Sequence, residues 1–201
     1  ENIGPEITYE AGGFFSEGDN LIGNTPGDSA NTKLPIQYHP TDIRDVPPLI
    51  ATLSSYGGST LTAALMPGSP AINAASNIVI EATDQRGSTR VAGGNTDIGA
   101  FEHNVTISPS NSVLPNASLG VFYNQALSTF RSDNTDPSGY FEYFIADGLL
   151  TSSGIELIQE SGVIRGTPTR SGEYVFIVKA VGADGMAGAQ RYSLTVGCSI
   201  S

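Results

Sequence analysis

Hydrophobic and polar positions along this chain fall into two textures that change near residue 104. Beyond that point the apolar runs are short, rich in β-branched and aromatic residues, and several of them alternate. They are Val105-Thr106-Ile107, Val121-Phe122-Tyr123, Gln125 to Phe130, Tyr140 to Ile145, Ile155 to Ile158, Val163-Ile164, Tyr174 to Val178 and Tyr192 to Val196. In the last run Tyr192, Leu194 and Val196 share one face, by the two-residue period of a strand. The same period puts Tyr174, Phe176 and Val178 on one face of their run and Val175 and Ile177 on the other. Turn residues separate the runs at the spacing of a sandwich of short strands. The pattern therefore predicts an immunoglobulin-like β-sandwich over 104–201, without the Cys…Trp…Cys signature of antibody domains, because the chain has no Trp.

Residues 1–103 read differently. Gly12-Gly13, Gly27-Asp28, Pro47-Pro48, Gly57-Gly58, Pro67-Gly68 and Gly93-Gly94 interrupt the chain, and only brief apolar pieces lie between them: Leu21-Ile22, Leu49-Ile50, Leu61 to Met66, Ile78 to Ile80 and Ile98 to Phe101. No alternation lasts long enough for a hairpin sandwich. Brief strands joined by tight Gly, Asn and Asp turns are what the corners of a parallel β-helix require. The fold class expected is all-β: terminal rungs of a right-handed parallel β-helix (1–103) followed by the sandwich (104–201). The junction is expected at Glu102–Pro109. It is either an exposed linker open to proteolysis or, if Val105-Thr106-Ile107 is the first sandwich strand, a stiff joint.

Composition narrows the function classes. With 9 basic and 20 acidic residues the net charge is −11, which repels phosphate backbones and anionic lipid heads and argues against nucleic-acid binding. The acidity serves solubility in one reading and Ca²⁺ binding in another. Cys198 is the single cysteine, so neither an internal disulfide nor a thiolate metal cage is available. Its place near the end of the sequence points to exposure. No apolar stretch approaches the ~20 residues of a membrane span. Glu1 opens a polar segment without an initiator methionine, as expected of a fragment of a longer exported protein.

Two resemblances add to this picture. Gly18-Asp19-Asn20-Leu21-Ile22-Gly23, Pro48 to Leu53, Tyr56 to Thr62, Ala64-Leu65-Met66-Pro67-Gly68-Ser69-Pro70-Ala71-Ile72-Asn73-Ala74, Thr83 to Gly87 and Thr96 to Glu102 resemble, in order and spacing, the last part of bacterial choice-of-anchor Q β-helix surface proteins. Asn73 departs from that pattern, which usually has Asp there, and residues 24–45 are specific to this chain. Ser161-Gly162-Val163-Ile164-Arg165-Gly166-Thr167-Pro168-Thr169, Ser171 to Val178 and Tyr192 to Val196 are similar to Ig modules of bacterial surface proteins, related to dystroglycan-type cadherin-like domains. That resemblance spans about 110–196 and implies a spacer or binding unit, not an enzyme.

Candidate chemistry is sparse. His39 and His103 have no neighbours at metal-ligand spacing and read as exposed loop histidines. Asp84 and Asp97 could form a carboxylate pair, but neither has a His or Lys partner close in sequence. A salt bridge, with Asp84 and Arg86 holding a loop-rich surface together, is the expected role. Asp133-Asn134-Thr135-Asp136 has the oxygen-rich composition of a Ca²⁺ loop, which Asx turns share. Asn104-Val105-Thr106 and Asn116-Ala117-Ser118 are N-glycosylation triplets. No P-loop, G-x-S-x-G or G-x-G-x-x-G occurs. No catalytic, cofactor-binding or metal residue is assigned. The expected function is a non-catalytic structural or adhesive module of an extracellular or cell-surface protein or of a self-assembling fibre. Its rung end would be covered by upstream rungs or by another copy of itself, which head-to-tail would build an open filament. A carbohydrate-binding auxiliary module of a polysaccharide-degrading protein, recognising surface glycans through Tyr side chains, is the alternative.

Overall fold

A computed structural model describes residues 2–3, 7–10, 13–25, 36–76, 81–90, 94–132 and 140–198. Among them there is no α-helix, and strands carry the architecture. The Asp133–Asp136 loop and Ile78 to Ile80 lie outside the described residues.

The first strands are short: β1 (Asn2–Ile3), β2 (Ile7–Glu10), β3 (Gly13–Ser16), β4 (Leu21–Ile22), β5 (Ile36–Gln37) and β6 (Ile43–Arg44). Two parallel pairs set their arrangement. β3 lies beside β5 with Phe14 opposite Ile36, and β4 lies beside β6 with Leu21 opposite Ile43. The side-chain bonds that cross the seam between the same two turns span 22 residues, the offset of both pairs. Both parallel pairs thus join segments the same distance apart in the chain. On their other edges, β3 and β4 pair antiparallel with β2 and β1. From Leu49 onward the path is loop-dense, closed by isolated antiparallel bridges of Ile50 with Leu65 and Ser54 with Thr62.

Nine further strands build the sandwich: β7 (Val105–Ser108), β8 (Ala117–Ser118), β9 (Tyr123–Ala126), β10 (Ser128–Arg131), β11 (Phe141–Gly148), β12 (Ile155–Ile158), β13 (Val163–Gly166), β14 (Gly172–Gly182) and β15 (Ala187–Gly197). One sheet has the order β11-β14-β15-β8, a second β12-β13-β9, and β7 pairs with β10. Between the sheets lies a core that includes Tyr123, Ile155, Ile164, Phe176, Val178, Tyr192 and Leu194. The strand period works as expected in β14: Phe176, Val178 and Ala180 are buried and Val175 is exposed. Phe176 meets Tyr192 across the β14–β15 pair with ring centroids 6.1 Å apart.

The apolar run Gln125 to Phe130, which reads as one strand, is two. β9 ends at Ala126, and β10 joins β7 after Leu127, whose amide donates to the Gly162 carbonyl. The chain changes sheets there, and buried Leu127 marks the crossing. At the junction Glu102 and Asn104 are buried and β7 begins at Val105.

A second apolar cluster joins the halves. Leu21, Ala51, Tyr56, Ala64, Leu65, Ala71, Ile98 and Phe101 pack together with Ala187 and Ala189 of β15, and Ile177 and Val181 of β14 lie against them. These four β14 and β15 residues are on the face of the sheet turned away from the sandwich core. The sandwich therefore has a covered back.

Candidate interaction surfaces

On the covered sheet face a half-buried ammonium reaches across to the first half. Lys179 of β14 donates from Nζ to Ser54 Oγ and to the Ser55 carbonyl, both at 2.9 Å. The ammonium also lies 5.5 Å from the Tyr56 ring centroid and 5.4 Å from that of Phe144. Burial lowers the Lys179 pKa. Alternation along β14 turns this side chain away from the sandwich core, and the strand run alone gives no sign of what would receive it. Beside it, Tyr56 is wholly buried and its hydroxyl donates to the Thr52 carbonyl. Burial pushes the Tyr56 phenol up to about 12. Thr52 Oγ1 donates in turn to Asp147 of β11 at 3.0 Å.

Gly57 explains how closely the two halves approach. Its φ is +90°, and a Cβ there would stand 2.7 Å from the Gly185 carbonyl oxygen in the β14–β15 turn. Only glycine meets both demands. An open cleft of about 430 Å³ follows the same seam. Ile50, Met66, Val175 and Ile177 give it an apolar lining, and Asp147 and Arg191 are its charged residues.

Asp84 and Arg86 pair as expected, but inside the protein and not at its surface. Asp84 Oδ2 receives Nε and Nη2 of Arg86 at 2.8 and 2.6 Å, and both side chains are fully buried. Asp84 Oδ1 accepts the Arg86 and Ser88 amides, and Oδ2 also accepts the Glu102 amide. Arg86 Nη2 donates to the Glu102 carbonyl at 2.7 Å, and its guanidinium carbon sits 3.6 Å from the Phe101 ring centroid. Burial lowers the Arg86 pKa, opposed by the charge of Asp84. Asp97 is buried too, accepting the Asn73 amide on Oδ1 and the His103 amide on Oδ2. Burial raises its pKa, and those amides pull it back. Asp84 and Asp97 both spend their oxygens on backbone amides, so this cluster ties loops together.

The contacts between residues 19–20 and 41–42 use the same chemistry. Asn20, fully buried, donates from its amide and from Nδ2 to Asp42 Oδ1, and the Asp19 amide donates to Thr41 Oγ1. Burial alone would raise Asp42, but hydrogen bonds from Ser16, Asn20 and the His39 amide outweigh it and leave the carboxyl below its usual range.

The remaining candidates scatter. His39 is exposed, with Nδ1 2.9 Å from Thr41 Oγ1. His103 is half-buried, contrary to the loop expectation, and burial lowers its pKa. The Asn104 triplet is closed off because Asn104 is 1% exposed and opens onto β7, whereas Asn116 is exposed. Cys198 is exposed. Among the described residues no three His, Cys, Asp or Glu side chains gather as metal ligands, and no helix is long and apolar enough to cross a membrane.

No protein family profile matches the chain, and no curated protein matches its sequence. Partial likenesses to solved structures do occur. A multidomain extracellular fragment of Drosophila N-cadherin is 22% identical over 50% of this chain and 28% of its own, with a TM-score of 0.35. A human PKD domain is 19% identical over 48% of this chain and 84% of its own, also at 0.35. An endo-fucoidan hydrolase of glycoside hydrolase family 107 is 12% identical over 51% of this chain and 16% of its own, again at 0.35. The first structures matched are larger proteins, of which this chain spans about a fifth.

Proposed function

We propose that this chain is a non-catalytic structural module of an extracellular or cell-surface protein, in which an Ig-like sandwich and the last coils of a β-helix form one stiff unit. The observation that carries the reading is the shared apolar cluster, in which Ala187 and Ala189 of the sandwich pack with Tyr56 and Phe101 of the first half. Lys179 reinforces it by crossing the seam. A flexible tether would leave the whole outer face of β14 and β15 wet, whereas a packed, interlocked seam transmits force and holds direction. The parallel pairs of β3 with β5 and β4 with β6 support the β-helix part. The outer edge of β1 and β2 is where upstream coils, or another copy of the chain, would add strands.

Calorimetry together with small-angle scattering tests this. A stiff unit melts in one transition, and its scattering fits a single rigid body. Two separable transitions, or scattering that needs an ensemble of orientations, would overturn the proposal.

A further inference from the structure

Away from the seam, the sandwich has a second cleft of about 400 Å³, between β10, the start of β11 and the turn joining β12 to β13. Its rim carries Phe130 and Tyr140, which are 54% and 57% exposed. Glu160, Ser128, Thr129 and Ser161 are the polar residues of its lining. The frame is fixed by backbone bonds: Leu127 amide to Gly162 carbonyl at 3.0 Å, Tyr143 amide to Gln159 carbonyl at 2.9 Å, and Gly162 amide to Ile158 carbonyl at 2.9 Å. Gly162, at φ +66°, lies flat on the buried Tyr143 ring, where a Cβ would come within 2.8 Å of Cζ. The turn bearing Glu160 is thus seated on the aromatic floor before any ligand arrives, which reduces the ordering cost of binding.

We propose that this cleft binds a neutral saccharide. Its volume falls within the range of roughly 300–1,000 Å³ that small-molecule sites occupy. A pyranose ring offers C–H faces to Phe130 and Tyr140, and hydroxyls to the Glu160 carboxylate and to Ser128, which shares the Phe130 face of β10 by the strand period. Aromatic groups with an apolar body serve this kind of half-wet contact well. Charge selects against anionic sugars: among the described residues Glu160 is the one charged group of the lining, and the whole chain carries −11. An organic cation would also suit a ring and a carboxylate. The two rim rings, more than half exposed, are too open to form the cage such a cation needs.

Saturation-transfer NMR on the whole chain tests the inference, with neutral disaccharides and tetrasaccharides of glucose, galactose and mannose, and with glucuronate and choline as counter-probes. The expected result is saturable millimolar binding of a neutral saccharide. Phe130→Ala and Tyr140→Ala should each weaken it by about five-fold or more, as loss of an aromatic contact implies, and Glu160→Gln should weaken it while leaving the rings in place. Melting temperatures should stay at the native value, because all three side chains are exposed. If an alanine variant unfolds, Glu160→Gln still decides. No saturable binding to any neutral saccharide overturns the inference, as does binding indifferent to all three substitutions or a preference for glucuronate or choline. These outcomes are independent of the stiff-unit reading, which rests on melting and scattering.

Discussion

Replacing Asp84 by Asn removes one charge and little volume, yet the structure makes it a severe change. The carboxylate accepts five donors: Nε and Nη2 of Arg86 and the amides of Arg86, Ser88 and Glu102. An Asn side chain keeps one oxygen, and whichever way it turns, its NH₂ faces N–H groups that now lack an acceptor. Arg86 would then lose its direct ion pair in a fully buried site, with only the more distant charges of Glu102 and Asp97 to offset it. Breaking a buried ion pair from one side costs about 3–5 kcal/mol. For a chain of about this length each kcal/mol lowers the melting temperature by roughly 2–4 °C, so a loss of roughly 6–20 °C is expected by circular dichroism. A double replacement, Asp84→Leu with Arg86→Met, sharpens the test. Apolar substitution of both partners often restores stability where a pair is isolated. Here it would orphan three amides and the Glu102 carbonyl, so it should not recover the native melting temperature. A melting temperature for Asp84→Asn within about 2 °C of wild type, less than 1 kcal/mol by the same conversion, would refute the reasoning, and full rescue by the double variant would refute the account of the amides.

Three further outcomes follow from other sites. Phe176→Ala should cost about 3–5 kcal/mol in urea unfolding, because the ring is 1% exposed and packs on Tyr192; an unchanged midpoint would remove β14 from the core. Gly57→Ala combines a strained φ with a collision against the Gly185 carbonyl. It should cost about 1–3 kcal/mol and raise protease sensitivity at the seam, and a neutral effect would mean that the close approach is dispensable. For His103, burial holds the folded pKa below the unfolded value of about 6.5. The unfolded chain then binds more protons, so His103 lowers stability as pH falls through and below about 6.5. Asp97, whose pKa is raised, acts with the opposite sign at lower pH. The difference between wild type and His103→Gln therefore carries the measurement, and identical pH–stability curves would contradict it.

The sandwich was legible because strand period and turn spacing are local. Tyr192, Leu194 and Val196 are buried on one face, and Phe176 and Val178 are buried on the facing side of β14, with Tyr174 half-buried beside them. Where local pattern misled, a long-range contact had intervened. Leu127 sits within one strand-like run, but its bond to Gly162 is the last rung beside β13, and from Ser128 the chain pairs with β7 instead. β8 is two residues long and pairs in parallel with β15, and Ala117-Ser118 has no strand composition to mark it.

The candidate surfaces were less legible for the same reason. Lys179 occupies an outward position on β14, which on an open sandwich would be solvated. Only its bonds to Ser54 and Ser55, more than a hundred residues earlier, make it part of a seam. Asp84 and Arg86, two residues apart, announce a local pair. Their burial depends on Tyr56, Phe101 and Glu102 closing over them. The loop-rich first half has few long strands to hold it, so buried charge accepting backbone amides does the work that a sheet ladder does elsewhere. That design needs an apolar wall behind it, and the outward face of β14 and β15, with Ile177, Val181, Ala187 and Ala189, supplies one. The first half and the sandwich are for this reason read better as mutually dependent than as two modules in series. Their dependence is encoded in small residues: Ala187 and Ala189 leave room for Tyr56 and Phe101, and Gly57 lets the backbones touch.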